Sequence, residues 1–236
     1  MSTLFFIRHA QGSFGKGNYD KLSETGKKQA LILAEYFHSI KIHFDEIYSG
    51  TMERHKDTVN EYISLSKVRD IPAEEVKYDS RLNEYDAEKI LTILIPALLK
   101  EKPHMKEHYE KLLSDKRSFQ LVFSEVMNMW ASGNYDMTGT ATWEEFTSGI
   151  YSFADERMSE HNGDRNIAVF TSGGPLSALI MKVLSLSLNT SMLIRDRIVN
   201  SSITRFRYTA YKIMISSFNE YSHLELAGGK DIITYR

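Results

Sequence analysis

Arg8 and His9 stand side by side directly after the apolar run Leu4-Phe5-Phe6-Ile7. An imidazole in that place can act as a nucleophile or a general base. The adjacent Arg8 carries a planar fork of donors that matches a phosphate. Taken alone, the pair also reads as two residues that merely close a strand. A second guanidinium, Arg54, lies in Ser49-Gly50-Thr51-Met52-Glu53-Arg54, just after another short apolar run. By itself it also suits the surface of an amphipathic helix. Glu84, in Arg81-Leu82-Asn83-Glu84-Tyr85-Asp86, offers a carboxyl group that can protonate a leaving oxygen or activate water. A solvated loop acid would look the same. Thr171-Ser172-Gly173-Gly174-Pro175 follows a third apolar run. Its glycines let an anion approach the backbone, Pro175 suits a first helical turn, and free amides there favour a phosphate. A tight strand-to-helix turn also asks for glycine, so this segment alone is weak.

These residues need a scaffold that brings them to one place. Leu4 to Ile7 is short and continuous enough for a strand buried on both faces, as in a parallel sheet. In such sheets ligands bind beyond the C-terminal strand ends. Ser23 is predicted to cap a helix through about His38, with Ala30, Leu33, Ala34 and Phe37 on one face. Glu46 to Ser49 reads as a second strand, and Gly50-Thr51 as the opening of a helix through about Ser64. Ile167 to Thr171 reads as a third, followed by a helix through about Leu186. Ser202 to Tyr208 and Tyr211 to Phe218 read as two more strands, with an antiparallel hairpin open through Thr209-Ala210. This alternation is the rhythm of an α/β fold. Asp86 to Phe146 departs from it: Leu, Lys, Glu and Met dominate, and two or three helices are expected, interrupted near Pro96, Pro103 and Gly133. The whole chain, 1–236, is read as one domain carrying that segment as a helical insert at about 86–146.

Composition narrows the classes. The 236 residues suffice for one substantial core, and 42% hydrophobic with 25% charged residues argues against disorder. A formal charge of -2 gives no support for nucleic-acid binding. With no cysteine, disulfides, thiolate metal sites and cysteine nucleophiles are excluded. No secretory signal is recognisable, and Ile90 to Leu99 is about half a membrane span, so no membrane partner and a cytoplasmic location are expected. His104 and His108 have the spacing of a helical metal pair, but without a third ligand a solvated face fits better. Met127, Met129 and Trp130 read as core of the insert ahead of a substrate pocket. No heptad pattern demands an oligomer.

Taken in order, the segments resemble the histidine phosphatase superfamily, which includes the cofactor-dependent phosphoglycerate mutases. Arg8-His9-Ala10-Gln11 resembles its Arg-His-Gly signature, with Ala10 in the glycine's place. Leu22-Ser23-Glu24-Thr25-Gly26 with Gln29-Ala30 is similar to the start of its first helix, and Ser49 to Arg54 with Thr58 to its second-arginine motif. Leu82-Asn83-Glu84 resembles its acidic motif; Asn200 to Thr204 and Asn219 with His223-Leu224 resemble its C-terminal segments. The resemblance implies a three-layer α/β/α sandwich with a mainly parallel central sheet. It implies that His9 attacks a phosphomonoester, that Arg8 and Arg54 hold the phosphoryl oxygens, and that Glu84 protonates the leaving group. It implies a small phosphorylated substrate, no metal and no cofactor. Ser172, Gly173, Gln11 and Ser13 complete the expected phosphate contacts.

Three departures qualify the match. The family places a second histidine where Ser172 stands; a hydroxyl can donate one bond to phosphate but brings no positive charge. His55, beside Arg54, is read as structural, because consecutive helical residues point about 100° apart. Mutases of the family also carry an asparagine soon after the signature, where this chain has Gly15, with Asn18 three residues on. Tyr85-Asp86 leads straight into the insert, which counts against phosphoglycerate mutase activity, and Asp86 is a candidate assistant to Glu84. The expected function is hydrolysis of a small phosphomonoester through a phosphohistidine. The alternatives are a weak or inactive relative that binds a phosphorylated ligand, and a mutase-like phosphotransferase.

Overall fold

A computed structural model describes residues 1–13, 20–69 and 73–235. Gly15, Gly17 and Asn18 lie outside the described residues.

Alternation along the first strand sets up the layers. In β1 (Ser2–Arg8), Leu4 and Phe6 face one way and Phe5 and Ile7 the other, the period of a pleated strand. β4 (Asn166–Thr171) divides likewise, Ile167 and Val169 against Ala168 and Phe170. Both faces are buried, which is why these strands read as unbroken apolar runs. On one face lie α6 (Trp143–Ser159), through Ile150, Phe153 and Ala154, and α7 (Gly173–Leu184), through Leu176 and Leu179. On the other lie α1 (Glu24–Ser39), through Leu33, Ala34 and Phe37, and α2 (Glu53–Val68), through Val59 and Tyr62.

The sheet has the order β3-β2-β4-β1-β5-β6, with β2 at Glu46–Ser49, β3 at Val76–Tyr78, β5 at Ile203–Tyr208 and β6 at Ile213–Glu220. The pairs β3/β2, β2/β4 and β4/β1 are parallel; β1/β5 and β5/β6 are antiparallel. This is the expected α/β sandwich with a mainly parallel sheet. The hairpin exists, but its turn runs over Thr209–Lys212, closed by the Thr209 amide on the Lys212 carbonyl at 2.8 Å.

Local chemistry explains the helix ends. Ser23 caps α1 by accepting from the Gly26 amide. Thr142 and Glu145 form a reciprocal capping box that starts α6, so the helical stretch read as ending at Phe146 ends inside a helix. The helix after β2 begins at Glu53, leaving Gly50 and Thr51 in the turn. Pro96 does not interrupt its helix: α3 runs Ala87–Glu101 and breaks before Pro103. Pro96 and Thr92, whose carbonyl loses its partner, are both exposed, so water can satisfy that group. Gly133, at φ 70°, stops α5 (Lys116–Ser132) in the left-handed conformation that suits glycine.

Between β3 and β4, α3 and α5 share their own apolar cluster, with the short α4 (Lys106–Glu110) between them in sequence. Met127, Met129 and Trp130 are buried in it, as packing residues. Trp130 is fully buried, donates to the Ala141 carbonyl at 3.0 Å, and sits 5.0 Å from the Tyr85 ring and 5.1 Å from Trp143. The short helices α8 (Leu188–Arg195) and α9 (Ser222–Gly228) complete the described elements. No helix among the described residues is long and apolar enough to cross a membrane.

Trp130→Ala removes the largest side chain of the α3–α5 cluster and leaves a cavity. Urea unfolding is expected to show a loss of about 3–5 kcal/mol; a loss below 1 kcal/mol would mean that this cluster does not stabilise the fold.

Candidate active site

Register brings the chemistry together. β2, β4 and β1 are consecutive neighbours; Arg8 pairs with Thr171, and Ser49 with Phe170. The strands therefore end almost level, and His9, Ser172 and Gly50 leave the sheet along one edge. The His9 amide bonds the Thr171 carbonyl at 2.8 Å, and the Gly50 amide the Phe170 carbonyl at 2.9 Å.

His9 is buried, with its ring held at both nitrogens. Nδ1 lies 2.7 Å from the Ala10 carbonyl, and Arg54 Nε donates to Nε2 at 3.1 Å. A carbonyl only accepts, so Nδ1 carries the proton and Nε2 presents its lone pair. Burial, and then the positive charges of Arg54 and Arg8, hold the imidazole well below its ordinary pKa, in the neutral form a nucleophile needs.

Arg54, at the second position of α2, is 4% exposed and meets a partner along each edge of its guanidinium. Besides His9, Nη1 donates to Asp20 Oδ1 at 2.5 Å and Nη2 to Ser172 Oγ at 3.4 Å. Asp20 also accepts from the Glu53 amide at 2.7 Å, which anchors it to the start of α2. Thr58, one turn further along, donates to the Arg54 carbonyl and accepts from the Ala10 amide, so helix and His9 loop are tied directly.

His55 and Arg54 do not diverge as consecutive helical residues were expected to. Ser172 stands where both can reach it: His55 Nε2 lies 2.7 Å from Ser172 Oγ, and the His55 and His9 ring centroids are 5.5 Å apart. Both His55 and Ser172 are fully buried.

Glu84 arrives from the turn after Ser80–Leu82, which Thr171 Oγ1 fixes by donating to the Leu82 carbonyl at 2.6 Å. Its Oε2 accepts from the Gly174 amide at 3.0 Å. That amide of α7, expected to be free for phosphate, is therefore occupied by the carboxylate. Gly174 leaves room for that seat, because a Cβ there would lie 1.8 Å from Glu84 Oε1 and displace the carboxylate. Gly173 stays open: an added Cβ would make only ordinary contacts with Arg195 and Arg8.

Arg8 ends β1 and donates through Nη1 to the Ile198 carbonyl. Gln11 serves the scaffold: its Oε1 accepts from Ser23 Oγ at 2.7 Å and its carbonyl from the Ser23 amide. Ser13 closes the loop through its amide on the Lys21 carbonyl at 2.7 Å. Asp86, a candidate assistant to Glu84, instead caps α3 at the Lys89 amide and pairs with Lys89 at 3.2 Å. His108 faces Ser118, and no group of three metal-ligating side chains occurs among the described residues.

Sequence reasoning missed Asp20, Asn200 and Arg195. Asn200, quoted only as part of a motif, donates to the His9 carbonyl at 3.1 Å. Arg195 packs against Gly173 and donates to the Tyr85 hydroxyl, joining α8 to the segment that carries Glu84. Asp20 had one available signal: a guanidinium buried beside an imidazole needs a carboxylate, although nothing in the spacing says which one.

Known proteins are similar to this chain in sequence and in fold. A broad-specificity phosphatase of Saccharomyces cerevisiae is 33% identical over 87 residues, 34% of this chain and 36% of that protein. The match thus spans about a third of the relative's length. YhfR of Bacillus stearothermophilus superposes with a TM-score of 0.63 at 16% identity, covering 95% of this chain and 100% of that one. A phosphoglycerate mutase from Bacillus anthracis gives 0.63 at 20% identity, covering 97% and 96%. The family model described as histidine phosphatase superfamily (branch 1) matches residues 4–122 and 113–221. With that match running over most of its length, the chain belongs to the histidine phosphatase superfamily.

Proposed function

We propose that the chain is a phosphatase that hydrolyses a small phosphomonoester through a phosphohistidine on His9. The observation that carries this reading is the ring of His9. Its proton is fixed on Nδ1 by the Ala10 carbonyl, and its Nε2 lone pair is aimed at the Arg54 guanidinium. A phosphoryl group entering between them meets the nucleophile on one side and charge-matched donors on the other.

In the first step His9 Nε2 bonds to phosphorus as the bond from phosphorus to the leaving oxygen breaks. The carboxyl group of Glu84 gives that oxygen its proton. Arg54 and Arg8 take the charge spread over the phosphoryl oxygens. In the second step water attacks phosphorus, Glu84 takes a water proton, and the P–N bond breaks. Inorganic phosphate leaves and His9 is neutral again. The glycine-backed seat of Glu84 on α7 keeps its carboxyl group beside the same strand edge. Ser172 in place of a histidine favours one competing reading, a weak relative that holds a phosphorylated ligand; a phosphotransferase would pass the group to a second metabolite.

The deciding assay is phosphate release from a panel of phosphomonoesters, with His9→Ala in parallel. Release that vanishes in the variant is the expected result. Binding without release would establish the competing reading, and transfer between metabolites with little release the phosphotransferase. Arg54→Ala is expected to weaken both vanadate binding and turnover; unchanged affinity would place Arg54 outside the phosphate site.

Glu84→Gln is expected to lower kcat/KM, which reports the first step, by about 10²–10⁴ on alkyl phosphates while barely changing it on an aryl phosphate, whose leaving group needs no proton. Equal losses on both would remove Glu84 from the acid role.

The pH profile follows from the electrostatics of His9. Because burial, then Arg54 and Arg8, depress its pKa, the neutral ring persists to pH values below its ordinary pKa. On an aryl phosphate, kcat/KM should hold as the pH falls past 6.5 and drop only well below it. A midpoint at or above 6.5 would contradict a buried, cation-flanked nucleophile.

A further inference from the structure

Ser172 occupies the N-cap of α7, where a serine hydroxyl ordinarily accepts from the amides of the first turn. Here the side chain makes no such bond. The hydroxyl turns toward α2 instead, 2.7 Å from His55 Nε2 and 3.4 Å from Arg54 Nη2. Which atom donates is settled on the far side of the His55 ring. Nδ1 is buried and has no hydrogen-bond partner among the described residues. It lies against Gly50, so closely that a Cβ there would be 2.1 Å away. Asn83 Oδ1 also lines the space beside Gly50 but is not a hydrogen-bond partner of Nδ1, so a proton there would go unaccepted and the ring proton is assigned to Nε2. His55 Nε2–H therefore donates to Ser172 Oγ.

We propose that His55 is a positioning residue for phosphoryl binding, acting through Ser172: its Nε2–H and the Arg54 guanidinium occupy the hydroxyl's lone pairs, so the Ser172 O–H is turned into the site to donate to a phosphoryl oxygen. This rests on the reading of the site as a phosphate site. A hydroxyl that accepts from two donors is itself a stronger donor. The pair also accounts for Gly50, the only residue type that leaves room for His55. Burial, followed by the charge of Arg54, keeps His55 neutral, so its contribution is direction and polarisation. Proton transfer to the leaving group is left to Glu84.

The test pairs a mutant cycle with a spectroscopic assignment. Affinity for inorganic phosphate is measured by calorimetry in the wild type, His55→Leu, Ser172→Ala and the double variant, with thermal melts to confirm folding. Each single change should weaken binding about tenfold, and the double variant should be no worse than the weaker single. His55→Gln, whose side-chain amide can donate from nearly the same place, should restore most of the affinity. Additive losses, a Gln variant as poor as Leu, or a wild type that binds no phosphate would overturn the proposal. Nitrogen-15 shifts of the wild-type rings should show His55 protonated on Nε2 and His9 on Nδ1; a proton on His55 Nδ1 would overturn it without any variant. Ser172→His alone should lose activity because His55 fills the space, and His55→Ala in that background should recover it; a gain from Ser172→His alone would also count against the proposal. The outcomes separate from those of the catalytic reading: absence of His9-dependent release would sink the phosphatase, while the affinity cycle would still decide the role of His55.

Discussion

A buried guanidinium organises this protein. Arg54 lies almost wholly out of water, and an unpaired charge there would cost several kcal/mol. The fold answers with a partner on each edge of the group: Asp20 from the first loop, Ser172 from the end of β4, and the ring of His9 from the end of β1. Each partner belongs to a different segment, so satisfying one side chain fixes their mutual positions. Burial first, and then the positive charge that this arrangement sets beside the imidazole, keep His9 neutral.

The His9 loop is held from behind as well. Asn200 donates to the His9 carbonyl, Thr234 donates to Asn200 Oδ1 at 3.0 Å, and Gln29 reaches both Thr234 and the Ile232 carbonyl. Gln29 also accepts from the Gln11 amide at 2.8 Å. Residues near the two ends of the described chain thus meet under His9. Gly26 completes the contact: a Cβ there would fall 2.1 Å from the Gln11 carbonyl oxygen. Neutral bonds like these each contribute about 1 kcal/mol, but their larger effect is to leave the imidazole one orientation.

Much of this was legible in the sequence, and the rest was not for physical reasons. β1 and β4, buried on both faces, announce themselves as apolar runs and β2 as the short Ile47-Tyr48 before a glycine turn, so all three and the residues after them could be placed. Ser23 with its helix was equally plain, because a cap and an apolar stripe are local signals. β3 was missed: three edge residues, one half-buried and two exposed, carry no periodicity. Pro96 misled because the rule against interior proline says nothing of which side of a helix it occupies. The convergence of Arg54 and His55 was misjudged for a related reason. The angular offset on a helix is local, whereas their meeting at Ser172 depends on where the end of β4 stands. Asp20 belongs to the same class of long-range pairing.

Glu84 shows how the segment between β3 and β4 bears on the strand-edge site. The residue after it, Tyr85, is buried in the α3–α5 cluster, its ring 5.0 Å from Trp130 and 5.3 Å from Phe146. Its hydroxyl accepts from Arg195, whose side chain lies against Gly173. Glu84 is therefore pinned on both sides, by an amide of α7 and by an aromatic neighbour that cannot move without opening an apolar core. Phe146 belongs to that packing and also to the packing on the sheet, so the two clusters share a boundary next to the carboxylate. A change deep in the α3–α5 cluster is thereby coupled to the position of the Glu84 carboxyl group. A residue such as Trp130 influences the site through the rigidity of close packing, without approaching a ligand.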